Sequence, residues 1–146
     1  VDRSLTFDKL QIAFDAIWFH KRARLLRTNP GRYCLMPEGR AELDTGAVVG
    51  AIEATTGVTC ELDTGKPHPI MLDTVLQELG LDAADCVMTG DMLTTDIRMA
   101  RAAGMPAALV LTGMTSMDMA TTAPADRQPD FIVEQIDHLL PDLRHS

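Results

Sequence analysis

Beyond residue 60 the chain alternates short apolar strands with helices, and this alternation restricts its fold more than any other feature. Strands are predicted at 86–89, 107–111 and 131–133, and helices at 69–79, 95–103 and 136–140. A regular exchange of strand and helix is typical of a parallel sheet whose strands are joined by helical crossovers. The sequence therefore predicts an α/β fold.

The helix predicted between Pro69 and Gly80 has well-defined ends. Proline fits the first helical turn, and glycine suits the left-handed conformation that ends a helix. The apolar residues between them are expected to form its buried face; they are Met71, Leu72, Val75, Leu76 and Leu79.

The first 60 residues predict a smaller arrangement of helices and a strand. One helix begins after Thr6, which can cap its first turn, and continues to about Lys21. The remaining segments are a strand at 23–27, a turn at 28–31, a polar loop at 37–39 and a second helix that ends before Gly57.

Composition and charge exclude several classes of function. The chain has a net charge of −8, a pI near 4.8 and a mean hydropathy of +0.03. These values are typical of a soluble globular protein and disfavour binding to nucleic acid or to an anionic membrane. The longest apolar run, 105–111, is too short to span a bilayer. We therefore expect a cytoplasmic protein, and the start at Val1 suggests that its natural chain begins further upstream.

Three charged residues occur where predicted strands give way to loops. Lys66 lies between Gly65 and Pro67, and Asp91 and Asp96 follow the strand at 86–89. Ligands of open α/β sheets bind at the carboxyl ends of strands, where carboxylates can hold Mg²⁺ and a lysine can hold phosphate. Local spacing alone fits a surface lysine, a turn aspartate and a helix-capping aspartate as well.

Known motifs for other chemistries are absent. Gly65-Lys66 is followed by Pro67 and not by Ser or Thr, so the segment is no nucleotide-binding P-loop. The chain has neither a GxGxxG fingerprint nor a GxSxG elbow. Three widely spaced cysteines without a nearby histidine support neither a disulfide framework nor a zinc site.

The order of the remaining motifs resembles a known enzyme family. Four segments resemble the third and fourth motifs of haloacid dehalogenase-like (HAD) phosphatases and the residues around them. They are Gly65-Lys66-Pro67, Gly90-Asp91-x-x-x-Thr95-Asp96-Ile97, Ala103-Gly104-Met105 and Leu111-Thr112-Gly113. Three upstream segments look like the second half of the α/β cap of subfamily IIA: residues 5–10, Thr28-Asn29-Pro30 and residues 46–54. The resemblance implies a partial cap at 1–60 and the second half of a doubly wound, Rossmann-like HAD core at 61–146.

The resemblance also implies roles for individual residues. Lys66 would bind the transferred phosphoryl group, Asp91 would ligate Mg²⁺, and Asp96 would support the metal from its second shell. Asn29 would approach the substrate from the cap. The family often has aspartate where this chain has Gly31. The substrate would be a small phosphorylated metabolite, such as a sugar phosphate or a nucleotide, hydrolysed through an aspartyl-phosphate.

The family's first motif, DxDG, is absent from the chain, and so is its second motif. We therefore expect the C-terminal part of a longer enzyme, inactive by itself and prone to associate. Its exposed sheet edge would pair with the missing N-terminal half or form a homo-oligomer. An alternative is a catalytically inactive module that binds phosphate or another protein. A signalling receiver domain is disfavoured because its lysine follows the phosphorylated aspartate, whereas Lys66 precedes Asp91.

Overall fold

The computed structural model describes residues 3–36 and 39–140. The chain divides into two compact units, an N-terminal unit, Val1–Gly65, and a C-terminal unit, Lys66–Ser146. The division falls after Gly65, five residues beyond the boundary expected at 60. The segment before Gly65 contains a strand that pairs within the N-terminal unit.

Two helices pack around the core of the N-terminal unit. Helix α1, Phe7–Phe14, is capped by the Thr6 hydroxyl, which accepts a hydrogen bond from the backbone N–H of Lys9. A π-helical turn, Asp15–Phe19, extends it, so the predicted helix is confirmed over most of its length. Helix α2, Thr45–Thr56, ends where predicted, at Gly57 in the left-handed conformation. The packed residues are Ile17, Leu25, Val49 and Ile52.

Four short strands complete this unit. Strand β1, Leu26–Arg27, pairs in parallel with β4, Leu62–Asp63, and an ion pair joins Arg27 to Asp63 at 3.1 Å. Strands β2, Tyr33–Leu35, and β3, Ala41–Leu43, form an antiparallel hairpin. This hairpin was not predicted, and residues 37–38 of the predicted polar loop lie outside the described residues.

The C-terminal unit contains a parallel sheet. Strands β5, Met88–Gly90, β6, Ala107–Val110, and β7, Phe131–Val133, lie in the order β5-β6-β7. Every residue of β6 is buried, as expected for a strand paired on both sides and covered on both faces. The predicted α/β class is confirmed, and the carboxyl ends of the three strands meet at one edge.

Helices connect and cover these strands. Helix α3, Ile70–Leu79, precedes β5, and a π-helical turn, Leu93–Ile97, leads into α4, Arg98–Ala102. Helix α5, Met117–Thr121, lies between β6 and β7. Three short 3-10 turns are Ala83–Asp85, Ala125–Arg127 and Ile136–Leu139, the last in place of the helix predicted at 136–140.

The buried face of α3 is narrower than the sequence predicted. Leu72 is buried, and Leu76 is partly buried against the core cluster, as expected. Met71, Val75 and Leu79 are instead exposed by 44%, 47% and 64%. Positions four residues apart lie on one stripe of a helix, and only the Leu72–Leu76 stripe faces the described core. The neighbouring stripe is left in solvent.

Helix α2, with 12 residues, is the longest helix in the described part of the chain. A bilayer-spanning helix needs about 20 apolar residues. None of the described helices is therefore a candidate membrane span.

We predict that Ile97→Ala destabilises the C-terminal unit by about 3 kcal/mol, because Ile97 is fully buried and its truncation leaves a cavity. Amide hydrogen exchange of β6 measures the opening free energy of this unit. Ile136→Ala, at a position 62% exposed, is the matched control and should cost less than about 0.5 kcal/mol. Equal effects of the two substitutions would contradict the core assignment.

Candidate active site

The carboxyl end of β5 places two aspartates close together. Asp91 follows the last strand residue, Gly90, and Asp96 lies in the π-helical turn that leads away from the sheet. This is the edge at which open α/β sheets bind their ligands. The third predicted residue, Lys66, is the first residue of the same unit, and its peptide bond to Pro67 is cis.

Asp96 is a buried carboxylate with a bond at each oxygen. Lys66 Nζ donates to Oδ1 at 2.7 Å, and the backbone N–H of Met92 donates to Oδ2 at 3.2 Å. The side chain of Asp96 is only 5% exposed, whereas that of Lys66 is 46% exposed. The bond to Asp96 therefore fixes the Lys66 ammonium group on one side, while the lysine side chain stays partly exposed to solvent.

Asp91 is held by the loop that follows β6. The backbone N–H of Met114 donates to Asp91 Oδ2 at 2.9 Å, and the hydroxyl of Thr115, a buried residue, donates to the Asp91 carbonyl at 2.6 Å. Sequence motifs did not predict these two contacts because they join residues 23 and 24 positions apart. The Thr112-Gly113 pair that ends the β6 motif is the signal that could have located them.

Two glycines allow the aspartates to sit this close to the backbone. A Cβ at Gly90 would overlap the side chain of Asp96, and a Cβ at Gly113 would overlap the carboxylate of Asp91. Any other residue would force one of the carboxylates to move. The glycines of the GD and TG dipeptides thus have a steric role at this site.

Lys66, Asp91 and Asp96 all lie in the C-terminal unit, and the structure joins Lys66 to Asp96. Among the described residues there is no ion pair between Lys66 and Asp91. Asn29 lies in the N-terminal unit, on the turn after β1, and its exposed side chain bonds to that unit. The substrate-binding role predicted for Asn29 stays a prediction.

The residues present fit part of a magnesium site. Within the described residues Asp91 Oδ1 accepts no hydrogen bond and is available to a cation, while both oxygens of Asp96 are engaged. Mg²⁺ takes about six oxygen ligands, several of them water. Residues 3–36 and 39–140 contain no group of three or more His, Cys, Asp or Glu that could hold a metal. Further ligands must come from water, substrate or another segment.

The geometry agrees with a comparison with known protein families. The family model for HAD-hydrolase-like proteins matches residues 63–139, more than half of the chain. The chain belongs to the HAD-hydrolase-like family. The resemblance predicted from the motifs around Lys66 and Asp91 is confirmed, including its assignment to subfamily IIA.

Individual HAD relatives are similar over almost all of this chain. Sugar-phosphatase AraL of Bacillus subtilis (strain 168) is 34% identical over 133 residues, which are 91% of this chain and 46% of AraL. The 4-nitrophenylphosphatase of Thermotoga maritima has a TM-score of 0.79 and 33% identity, covering 94% of this chain and 51% of that structure.

A glycerol phosphate phosphatase of Mycobacterium tuberculosis, in complex with magnesium, has a TM-score of 0.79 and 28% identity. The match covers 97% of this chain and 41% of that one. This HAD chain spans about half the length of the relatives it matches, and it corresponds to their C-terminal part.

We predict that Gly113→Ala costs the C-terminal unit about 2 kcal/mol, because the new methyl group displaces the Asp91 carboxylate. Hydrogen exchange of the β6 amides measures the loss. In an Asp91→Ala background the same change should cost little, since the clash is gone. Gly50→Ala in α2, where a Cβ meets nothing within 4 Å, is the control and should be neutral or slightly stabilising. A large cost that persists in the Asp91→Ala background would refute the steric role.

We predict that Lys66→Met destabilises the C-terminal unit by about 2 kcal/mol, because it leaves a buried carboxylate without its cation. Adding Asp96→Asn should recover much of that loss in a double-mutant cycle measured by urea unfolding. Arg98→Met removes the cation of an exposed pair, 3.8 Å from Asp126, and should cost under about 0.5 kcal/mol. Strictly additive effects at 66 and 96 would show that the two residues do not interact.

Proposed function

We propose that this chain supplies part of the active site of a Mg²⁺-dependent phosphatase for a small phosphorylated metabolite, a sugar phosphate or a nucleotide-like ester. The reaction would pass through an aspartyl-phosphate whose nucleophile is not in this sequence. The observation that supports the proposal is the bond of half-exposed Lys66 to the buried carboxylate of Asp96, near Asp91 at the carboxyl end of β5. Two of the relatives are a sugar-phosphatase and a glycerol phosphate phosphatase, which supports the substrate class.

Lys66 would bind and neutralise the phosphoryl group. Its ammonium group has three N–H donors; one is directed to Asp96, and no other acceptor among the described residues takes the remaining two, which are available to phosphoryl oxygens. A lysine fixed in advance stabilises the charge that develops in the transition state without reorganising during the reaction. Asp96 is thus a positioning residue, because it acts through Lys66.

Asp91 would hold the metal, with Mg²⁺ ligated by its Oδ1 atom and by groups outside the described residues. Bound there, Mg²⁺ would neutralise charge on the phosphoryl oxygens and align the ester for attack. The Met114 N–H holds one oxygen of the Asp91 carboxylate, and the Thr115 hydroxyl holds the Asp91 backbone carbonyl, so that both the side chain and the backbone of Asp91 are fixed. Asp96 would contribute to the metal site only from its second shell.

Two exposed surfaces support the proposal that another polypeptide segment completes the C-terminal unit. Strand β5 is an edge strand in the described sheet, and an uncovered edge of a parallel sheet favours pairing. The stripe Met71, Val75 and Leu79 of α3 exposes apolar surface as well. The partner would be an N-terminal half that carries the nucleophile, or a second copy of this chain. A cytoplasmic location stays a prediction from composition.

A second candidate is favoured by one observation, the absence of DxDG from the sequence. In that case the chain is a catalytically inactive HAD-like module that binds phosphate or a protein. Lys66 and Asp91 would then retain weak binding of phosphate and cation without turnover. Finding a DxDG motif in the coding sequence upstream of Val1 would exclude this candidate.

We predict that the isolated 146-residue protein shows no Mg²⁺-dependent hydrolysis of p-nitrophenyl phosphate, because its sequence lacks the DxDG motif whose aspartate would attack phosphorus. The protein extended upstream to include DxDG should hydrolyse the ester. In that protein, Asp91→Asn should reduce kcat by roughly 100-fold or more. Asp126→Asn, in an exposed ion pair, is the matched control and should retain activity. Turnover by the isolated chain that disappears with Asp91→Asn would contradict the missing-nucleophile proposal.

A further inference from the structure

The C-terminal unit has a groove lined by methionines beside the loops that hold Asp91 and Asp96. Its three methionines are Met92, directly after Asp91, Met114, in the loop after β6, and Met119, on α5. The volume of this methionine groove is about 400 Å³, which lies within the range of small-molecule sites. All the residues that line it belong to the C-terminal unit.

Two of these methionines hold the carboxylates of the candidate active site through their backbone. The N–H of Met92 donates to Asp96 Oδ2 at 3.2 Å, and the N–H of Met114 donates to Asp91 Oδ2 at 2.9 Å. The three methionines are exposed by 37%, 51% and 53%, in chain order. Methionine side chains are flexible and polarizable, and they adapt readily to an apolar ligand. A molecule in the methionine groove therefore contacts the residues that support both carboxylates.

Arg127 gives the methionine groove a cation. It lies at the end of the 3-10 turn Ala125–Arg127, and its Nε atom is buried without a hydrogen-bond partner among the described residues. A buried donor without an acceptor is costly, and proteins satisfy nearly all such donors with protein groups, water or a ligand. A guanidinium group pairs most strongly with a carboxylate or a phosphate. The orphaned Nε thus indicates an anionic ligand.

Asp126 limits the charge of that ligand. Its carboxylate oxygens lie 3.5 Å from Arg127 Nε and 3.8 Å from Arg98 Nε. Two arginines therefore share one carboxylate, which leaves a local surplus of one positive charge in a protein whose net charge is −8. A single negative charge matches this surplus, whereas a phosphate dianion would bring a second charge close to Asp126 without compensation. A monoanion is the better match.

We propose that the methionine groove binds a small monocarboxylate with an apolar body, and that the bound molecule stabilises the loop that holds Asp91. The carboxylate bonds to the Arg127 guanidinium group, and the apolar body packs on Met92, Met114 and Met119. Because the Met114 N–H holds the Asp91 carboxylate, the effect of the ligand reaches Asp91 through one hydrogen bond. This binding needs no phosphatase reaction, so it can be measured on the 146-residue chain.

The first test uses 3-phenylpropionate, which joins a phenyl ring to a carboxylate, and methionines with isotope-labelled ε-methyl groups. The NMR signals of Met92, Met114 and Met119 should shift along one saturation curve, since the ring lies against their sulfur atoms. The signal of Met71, exposed on α3, should not move. 3-Phenylpropionamide, acetate and inorganic phosphate should each bind at least about tenfold more weakly. Absence of these shifts, or equal binding of the neutral amide, would overturn the proposal.

The second test changes the charge of the methionine groove. Arg127→Gln should weaken binding of 3-phenylpropionate by about tenfold, while Arg101→Gln, which removes a bond to Asp130, should leave it unchanged. Met119→Glu places a carboxylate in the groove at a half-exposed position and should also prevent binding. Met119→Leu keeps the apolar volume and should change the affinity by less than about twofold. Unchanged affinity in folded Arg127→Gln and Met119→Glu would overturn the proposal.

The third test measures the effect on the loop that holds Asp91. At a 3-phenylpropionate concentration ten times its Kd, hydrogen exchange of the Met114 amide should slow by about tenfold. The Lys9 amide in α1 of the N-terminal unit is the control and should exchange at an unchanged rate. Unchanged exchange at Met114 would overturn the effect on Asp91.

The protein extended upstream of Val1 separates a ligand site from a surface that another segment covers. It should give the same methyl shifts of Met92, Met114 and Met119 with 3-phenylpropionate as the 146-residue chain. Loss of those shifts in the extended protein would show that the added segment occupies the methionine groove, and it would overturn the proposal.

Discussion

The bond between Lys66 and the buried carboxylate of Asp96 is the interaction on which the C-terminal unit's site depends. It draws the first residue of the unit to the end of β5, and the bond from Met92 N–H fixes the same carboxylate on its other side. Burying one acid is costly, and its cation makes that burial tolerable. The same cation is then left partly exposed, in the position where an anionic ligand can meet it.

Each unit uses a buried aspartate to orient a more exposed polar group. Asp96 orients the Lys66 ammonium group, and Asp44 orients the Asn29 amide. In both places a carboxylate packs where only glycine leaves room, at Gly90 in one unit and at Gly31 in the other. In both units a glycine therefore leaves the room in which a buried carboxylate bonds to a more exposed donor.

Sequence patterns predicted the parts of this protein that depend on local chemistry. The helix ends at Gly57 and Gly80 could be predicted, because a glycine ends a helix through its own left-handed conformation and needs no partner elsewhere in the chain. The supports of Asp91 could not be predicted, since Thr115 is brought to it by the pairing of β5 with β6. The exposed stripe of α3 was missed for the same reason: periodicity shows that a face is apolar but not which stripe is covered.

The most direct measurement is a crystal structure of the protein grown with Mg²⁺ and orthovanadate, an analogue of the transferred phosphoryl group. We predict vanadate oxygens within hydrogen-bond distance of Lys66 Nζ, Mg²⁺ about 2.1 Å from an Asp91 carboxylate oxygen, and an intact Lys66–Asp96 bond. Vanadate bound away from Lys66, or Mg²⁺ bound to Asp96 with the lysine displaced, would contradict it.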